Sequence, residues 1–170
     1  MSDNEAPQLS PWQEVLLVLL RMGIGWHFLY EGCVKLFSPG WTSAAFLAES
    51  RWLLSGVFHW IVAHPSLLSL VDVLNVWGLV LIGLALLLGA FSRFAAVSGA
   101  ILVSLYYVAS PPLVGLPSNG AAEGSYLIVN KNLVEILALC VVAAFPIGGF
   151  FGIERALARV WSRLRRPAAA

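Results

Sequence analysis

Four stretches of this chain run on with few charges for the roughly 17–25 residues that a helix needs to cross the hydrocarbon core of a bilayer. They cover residues 12–36, 67–90, 92–110 and 126–146. Hydrocarbon offers no water to satisfy backbone N–H and C=O groups, so stretches of this kind have to be helices. Composition agrees. Of the 170 residues, 59% are apolar and 11% charged, where a soluble domain carries about 25% charged residues; the mean hydropathy is +0.84. The expected fold class is all-α: a polytopic membrane protein built as a four-transmembrane-helix bundle, with residues 1–170 as a single membrane domain.

The connections differ in kind. Two or three residues around Phe91-Ser92-Arg93 join the second and third spans, which makes these an antiparallel hairpin. Between the first and second spans, Ser38-Pro39-Gly40 opens a linker in which Trp41, Phe46, Trp52, Phe58 and Trp60 mix with Glu49, Arg51 and His59. Such mixing, in a stretch too polar to span, predicts one or two short helices lying in the interface, where Trp is at home. Residues 111–125 read as a Pro/Gly/Ser loop. With four spans both termini share a side, and Arg93, Arg155, Arg159, Arg163, Arg165 and Arg166 fall there. The positive-inside rule then places both termini in the cytoplasm. Residues 153–166 form an amphipathic basic tail suited to anionic headgroups.

Several functions lack the residues they need. The net charge of +1 gives no bulk attraction to nucleic acid, and none is expected as a partner. Cys33 and Cys140 have no C-x-x-C spacing, so neither a dithiol motif nor a metal site is expected. A cleavable leader is not expected either: the first 14 residues hold Asp3, Glu5 and Glu14 and no basic residue. G-x-S-x-G, H-E-x-x-H and P-loop signatures are missing from the sequence. A haem held between spans is disfavoured because His27 alone among the histidines lies within one.

The informative residues are six of the charges inside the spans: Arg21, Glu31, Lys35, Asp72, Lys131 and Glu135. One such charge at a helix centre costs roughly 2.5–3.5 kcal/mol, and six unpaired would cost up to roughly 15–20 kcal/mol. Three are positive and three negative, so they can pair. At about 100° per residue, with His27 at zero, Glu31 falls at about 40°, Lys35 at about 80° and Arg21 at about 120°. The first span therefore has one polar face, turned into the bundle. Arg21 lies nine residues past Trp12, and Glu135 nine past Tyr126 from the opposite side. Equal depth predicts a structural Arg21–Glu135 ion pair. Glu31, Lys35, Asp72, Asn75, Asn130 and Lys131 fall in the outer half, as a second cluster beneath the linker, with His27 between the two levels. One reading of these residues is a self-satisfied network that sets helix register. The other is a polar cavity that binds a head group and moves protons.

The run Leu20-Arg21-Met22-Gly23-Ile24-Gly25-Trp26-His27-Phe28-Leu29-Tyr30-Glu31-Gly32, followed by Lys35-Leu36, resembles the first span of the DoxX family. Asp72-Val73-Leu74-Asn75-Val76-Trp77-Gly78 and Glu123-Gly124-Ser125-Tyr126-Leu127-Ile128-Val129-Asn130-Lys131-Asn132-Leu133-Val134-Glu135 resemble its later spans. The resemblance covers about residues 12–155. It implies a small four-span protein of the bacterial or archaeal cytoplasmic membrane, of a family that includes a subunit of thiosulfate:quinone oxidoreductase. The matching positions are Arg21, Glu31, Lys35, Asp72, Asn75, Asn130, Lys131 and Glu135. The resulting expectation is a membrane subunit of a quinone-linked oxidoreductase, with no covalently bound cofactor and a quinone as the diffusible one. Glu31, His27 and Asp72 would relay protons, while Lys35, Asn75, Asn130 and Lys131 would bind a quinone head group or anion. Its partners would be the lipid bilayer and other subunits or further copies of the chain. The rival expectations are a non-catalytic assembly subunit and a small-molecule carrier acting as a homo-oligomer.

Overall fold

The computed structural model describes residues 9–113, 127–145 and 152–153, and every regular element among them is a helix. α1 runs Pro11–Phe37. Its start is fixed by a capping box: the Gln13 backbone N–H donates to Ser10 Oγ at 3.4 Å, and the Ser10 N–H donates to Gln13 Oε1 at 2.8 Å. Pro11 in the first turn gives up no hydrogen bond, because the first N–H groups of a helix have no internal partner. The linker folds into two short helices, α2 (Ala44–Ala48) and α3 (Ser55–Val62), as its mixed composition predicts.

α4 (Pro65–Leu88) ends on Gly89 in the left-handed conformation, φ 66°. Three residues later α5 (Ser92–Ala109) begins, and the hairpin is as short as expected. α6 (Lys131–Ala144) starts later than residue 126. Asn130 is extended and its side chain accepts from the Leu133 N–H at 3.0 Å, so the helix is nucleated there. The residues before it form a turn held to α5 by the Tyr107 hydroxyl, which donates to the Ile128 carbonyl at 2.8 Å.

α1, α4 and α5 are long and apolar enough to cross a membrane, and their outward faces carry exposed Trp12, Leu19, Trp26, Leu81, Phe94 and Ile101. This is the architecture of a membrane protein. α6, with 14 residues, rises about 21 Å and is shorter than a full span. The basic tail expected at 153–166 lies almost wholly outside the described residues, as does most of the 111–125 loop.

Helix association in lipid draws on close packing rather than on a hydrophobic drive. The α1–α4 seam shows how this is met. A Cβ on Gly83 would stand 2.5 Å from Leu29 N, one on Gly25 2.9 Å from Leu87 N, and one on Gly32 2.9 Å from Val80 N. Backbone therefore meets backbone along two turns. α1 packs most extensively on α4 and α5 on α6, and the α4–α5 and α1–α6 seams are thinner. Phe28, Leu79, Leu86, Ala96, Val103, Leu139 and Val142 fill the centre between all four. A smaller core of Leu47, Phe58 and Ala109 holds α2 and α3 to the start of α4 and the end of α5.

Candidate functional site

The polar face of α1 does look inward. Arg21 is 1% exposed, and His27, Glu31 and Lys35 are all half-buried. The partners of these residues, however, differ from the expected ones.

Glu135 is bonded to His27, whose Nδ1 lies 2.6 Å from Glu135 Oε1. The expected Arg21–Glu135 ion pair is not formed. Its depth argument assumes a helix from residue 126, whereas α6 begins at Lys131, which puts Glu135 one turn from the N-terminal end of that helix. With His27 opposite Glu135 on antiparallel helices, Arg21 falls six residues, about 9 Å, further in. A carboxylate only accepts, so the proton in the His27–Glu135 bond sits on Nδ1, and Nε2 is the ring nitrogen left for another partner. The Glu135 side chain is 12% exposed and that of His27 39% exposed.

The outer cluster divides rather than converging. Lys35 Nζ donates to Asn75 Oδ1 at 3.3 Å, and Asn75 Nδ2 donates to the Tyr106 hydroxyl oxygen at 2.7 Å. The same ammonium stands 5.2 Å from the ring centroid of Trp41 and 5.3 Å from that of Tyr106, within cation–π range of both. Phe46 of α2 packs edge-on against Tyr106 at 6.1 Å. Asp72 turns the other way. Its Oδ1 accepts from the Ser43 backbone N–H at 2.9 Å and from Ser43 Oγ at 2.5 Å. Ser43 precedes α2 and is buried, so this carboxylate fastens the linker to α4. Asn130 is occupied as the cap of α6. Glu31, one turn from both His27 and Lys35, makes no hydrogen bond within the described residues.

Lys35, Asn75 and Asp72 thus form a latch between α1, α4, α5 and the linker, and among the described residues no hydrogen bond joins them to Asn130 or Lys131. Sequence reasoning missed Trp41, Ser43 and Tyr106, which complete that latch. The adjacent aromatic pair Tyr106-Tyr107 near the end of the third span is a signal for the last of these. Nothing local marks Ser43.

Among the described residues, an opening lies elsewhere, on the thin α1–α6 seam. A groove of about 590 Å³ is lined by Leu19, Leu20, Gly23, Ile24 and His27 of α1 and by Lys131, Val134, Glu135 and Ala138 of α6. Its walls are almost wholly apolar, with His27, Glu135 and Lys131 together at one end. Leu19, Leu20 and Val134 at its rim are exposed, so the groove opens sideways, toward lipid. The volume falls within the range of about 300–1,000 Å³ common for small-molecule sites. No family model, curated protein or solved structure matches the chain.

Proposed function

We propose that this chain is the four-span membrane subunit of a quinone-linked oxidoreductase, DoxX-like in type, and that its ligand site is the α1–α6 groove. The observation that carries the reading is the His27–Glu135 pair at the polar end of that groove.

The groove narrows the ligand class. Its walls are apolar apart from His27, Glu135 and Lys131 at one end, which suits a neutral ring with two carbonyl oxygens and an apolar chain. The residues present fit a quinone: an imidazole braced by a carboxylate to face the ring, and an apolar groove to take the chain. A quinone, when bound, supplies two-electron, two-proton redox chemistry. The chain's own part is proton handling. His27 exchanges a proton with a ligand oxygen through Nε2, while Glu135 at Nδ1 holds the imidazole in place and stabilises its charged form. Lys131 adds positive potential at the groove's edge. Electrons belong to a redox-active partner subunit in the same membrane.

The four-span reading is supported by α6 keeping pace with α5. Arg93 Nη2 reaches the Ala144 carbonyl at one end at 3.4 Å, and Tyr107 holds Ile128 at the other. The spans then run up, down, up and down, with both termini on the cytoplasmic side of a bacterial or archaeal cell membrane.

The test is ligand labelling in lipid nanodiscs with a quinone that carries a photoreactive group on its ring. Adducts are expected at His27, Glu135 or Lys131, and H27A and E135Q are expected to cut labelling at least about tenfold. Equal labelling of both variants and the native chain would overturn the reading.

A further inference from the structure

The glycines of α1 fall into two kinds. Gly25 and Gly32 have no room for a side chain, since a Cβ on either would come within 3.0 Å of α4. Gly23 has no such neighbour, and a Cβ there would meet nothing within 4 Å. It lies on the wall of the groove, one turn inward of His27, between Leu19, Leu20 and Ile24. Packing therefore does not require glycine at this position, although glycine weakens a helix relative to alanine. Across the groove the facing residue types are also modest in size, with Ala138 one turn inward of Val134.

The groove is polar at one end only. From His27 to Leu19 it follows α1 for eight residues, about 12 Å, between apolar side chains. An occupant complementary to it has one compact polar end and one narrow apolar chain. The exposed rim at Leu19, Leu20 and Val134 gives such an occupant a sideways path from the bilayer.

We propose that Gly23 is the specificity-determining residue of this site: its missing side chain leaves the channel in which the apolar chain of the ligand lies, and the ligand enters laterally from lipid. This inference rests on the ligand site proposed above and adds where the chain runs and what limits its width. A branched or aromatic residue at position 23 fills the channel while leaving the His27–Glu135 pair in place. Alanine there removes little of the space.

Two photoreactive quinones in nanodiscs test this, one labelled on the ring and one at the end of a decyl chain, with adducts mapped by peptide sequencing. In the native chain the chain-end label is expected on Leu19, Leu20 or Ala138. G23L is expected to lower those chain-end adducts at least about tenfold, and G23A by less than about threefold. A circular-dichroism melt of each variant in the same discs shows whether it is folded, and the position of the chain-end adducts in the native chain decides the assignment where G23L is not. Chain-end adducts on other helix faces, or equal adducts in G23L and the native chain, would overturn the assignment of Gly23. Absence of ring-label adducts at His27, Glu135 and Lys131 in the native chain would instead overturn the site itself.

Discussion

α1 presents two flanks that are built on opposite principles. Toward α4 it is closed: backbone lies against backbone at Gly25, Gly32 and Gly83, and the outer end is tied by Lys35–Asn75–Tyr106. Toward α6 it is open, with a groove in place of a seam and one His–Glu bond across it. Both flanks carry polar groups that lipid would not tolerate alone. On the closed flank the bonds run from protein to protein and hold the bundle together. On the open flank the pair keeps a ring nitrogen for something else. A charge inside a membrane span therefore marks either a fastening or a site, and the space beside it distinguishes the two.

The comparison can be broken or sharpened by substitution, and the largest effect belongs to the closed flank. Gly83→Val places a Cβ 2.5 Å from the Leu29 nitrogen, where no flexible side chain can give way. It is expected to cost more than about 3 kcal/mol, beyond ordinary overpacking, and to abolish the monodisperse peak in gel filtration. Asp72→Ala comes next. It leaves the buried Ser43 N–H and hydroxyl without their acceptor, an expected loss of about 2–3 kcal/mol. Hydrogen exchange should rise at residues 43–48, and Asp72→Asn, which keeps an oxygen, should do less harm.

Lys35→Met preserves the apolar stem and removes one hydrogen bond and two cation–π contacts. About 1–2 kcal/mol is expected, read as a lowered melting temperature with no change in ring labelling at His27. The smallest effect should come from Gly23→Ala on the open flank. Its new methyl meets nothing, so stability should shift by no more than about 1 kcal/mol, toward the stable side. A Gly23→Ala variant as damaged as Gly25→Ala would erase the distinction between the flanks.

Much of the architecture was legible from local pattern. The long apolar runs give α1, α4 and α5 to within a few residues, the short break around Phe91-Ser92-Arg93 gives the hairpin, and mixed aromatic and polar residues give two short linker helices. The turn of His27, Glu31 and Lys35 toward the interior follows from helical period alone. The start of the fourth helix was not read correctly, because Tyr126–Val129 are as apolar as a span and hide the Asn130 cap. That five-residue error moved Glu135 to the wrong depth and gave it Arg21 in place of His27. Partners across long loops were also out of reach: Asp72 finds Ser43, 29 residues away, and no periodicity encodes that bond. The glycine spacing on α1 was visible in the sequence, but which glycine faces backbone and which faces open space depends on the register of two neighbouring helices.

The unequal seams also set how the bundle can flex. α1 with α4, and α5 with α6, are the two densely packed pairs. They are coupled by the three-residue turn at Gly89–Phe91 and by thinner packing. Local opening is cheapest where buried contacts are few, and here that is the boundary between the pairs. Rocking about the Gly89 turn would widen or narrow the gap between α1 and α6 while leaving the welded glycine seam unchanged. The same division that closes one flank of α1 would confine the molecule's breathing to the other.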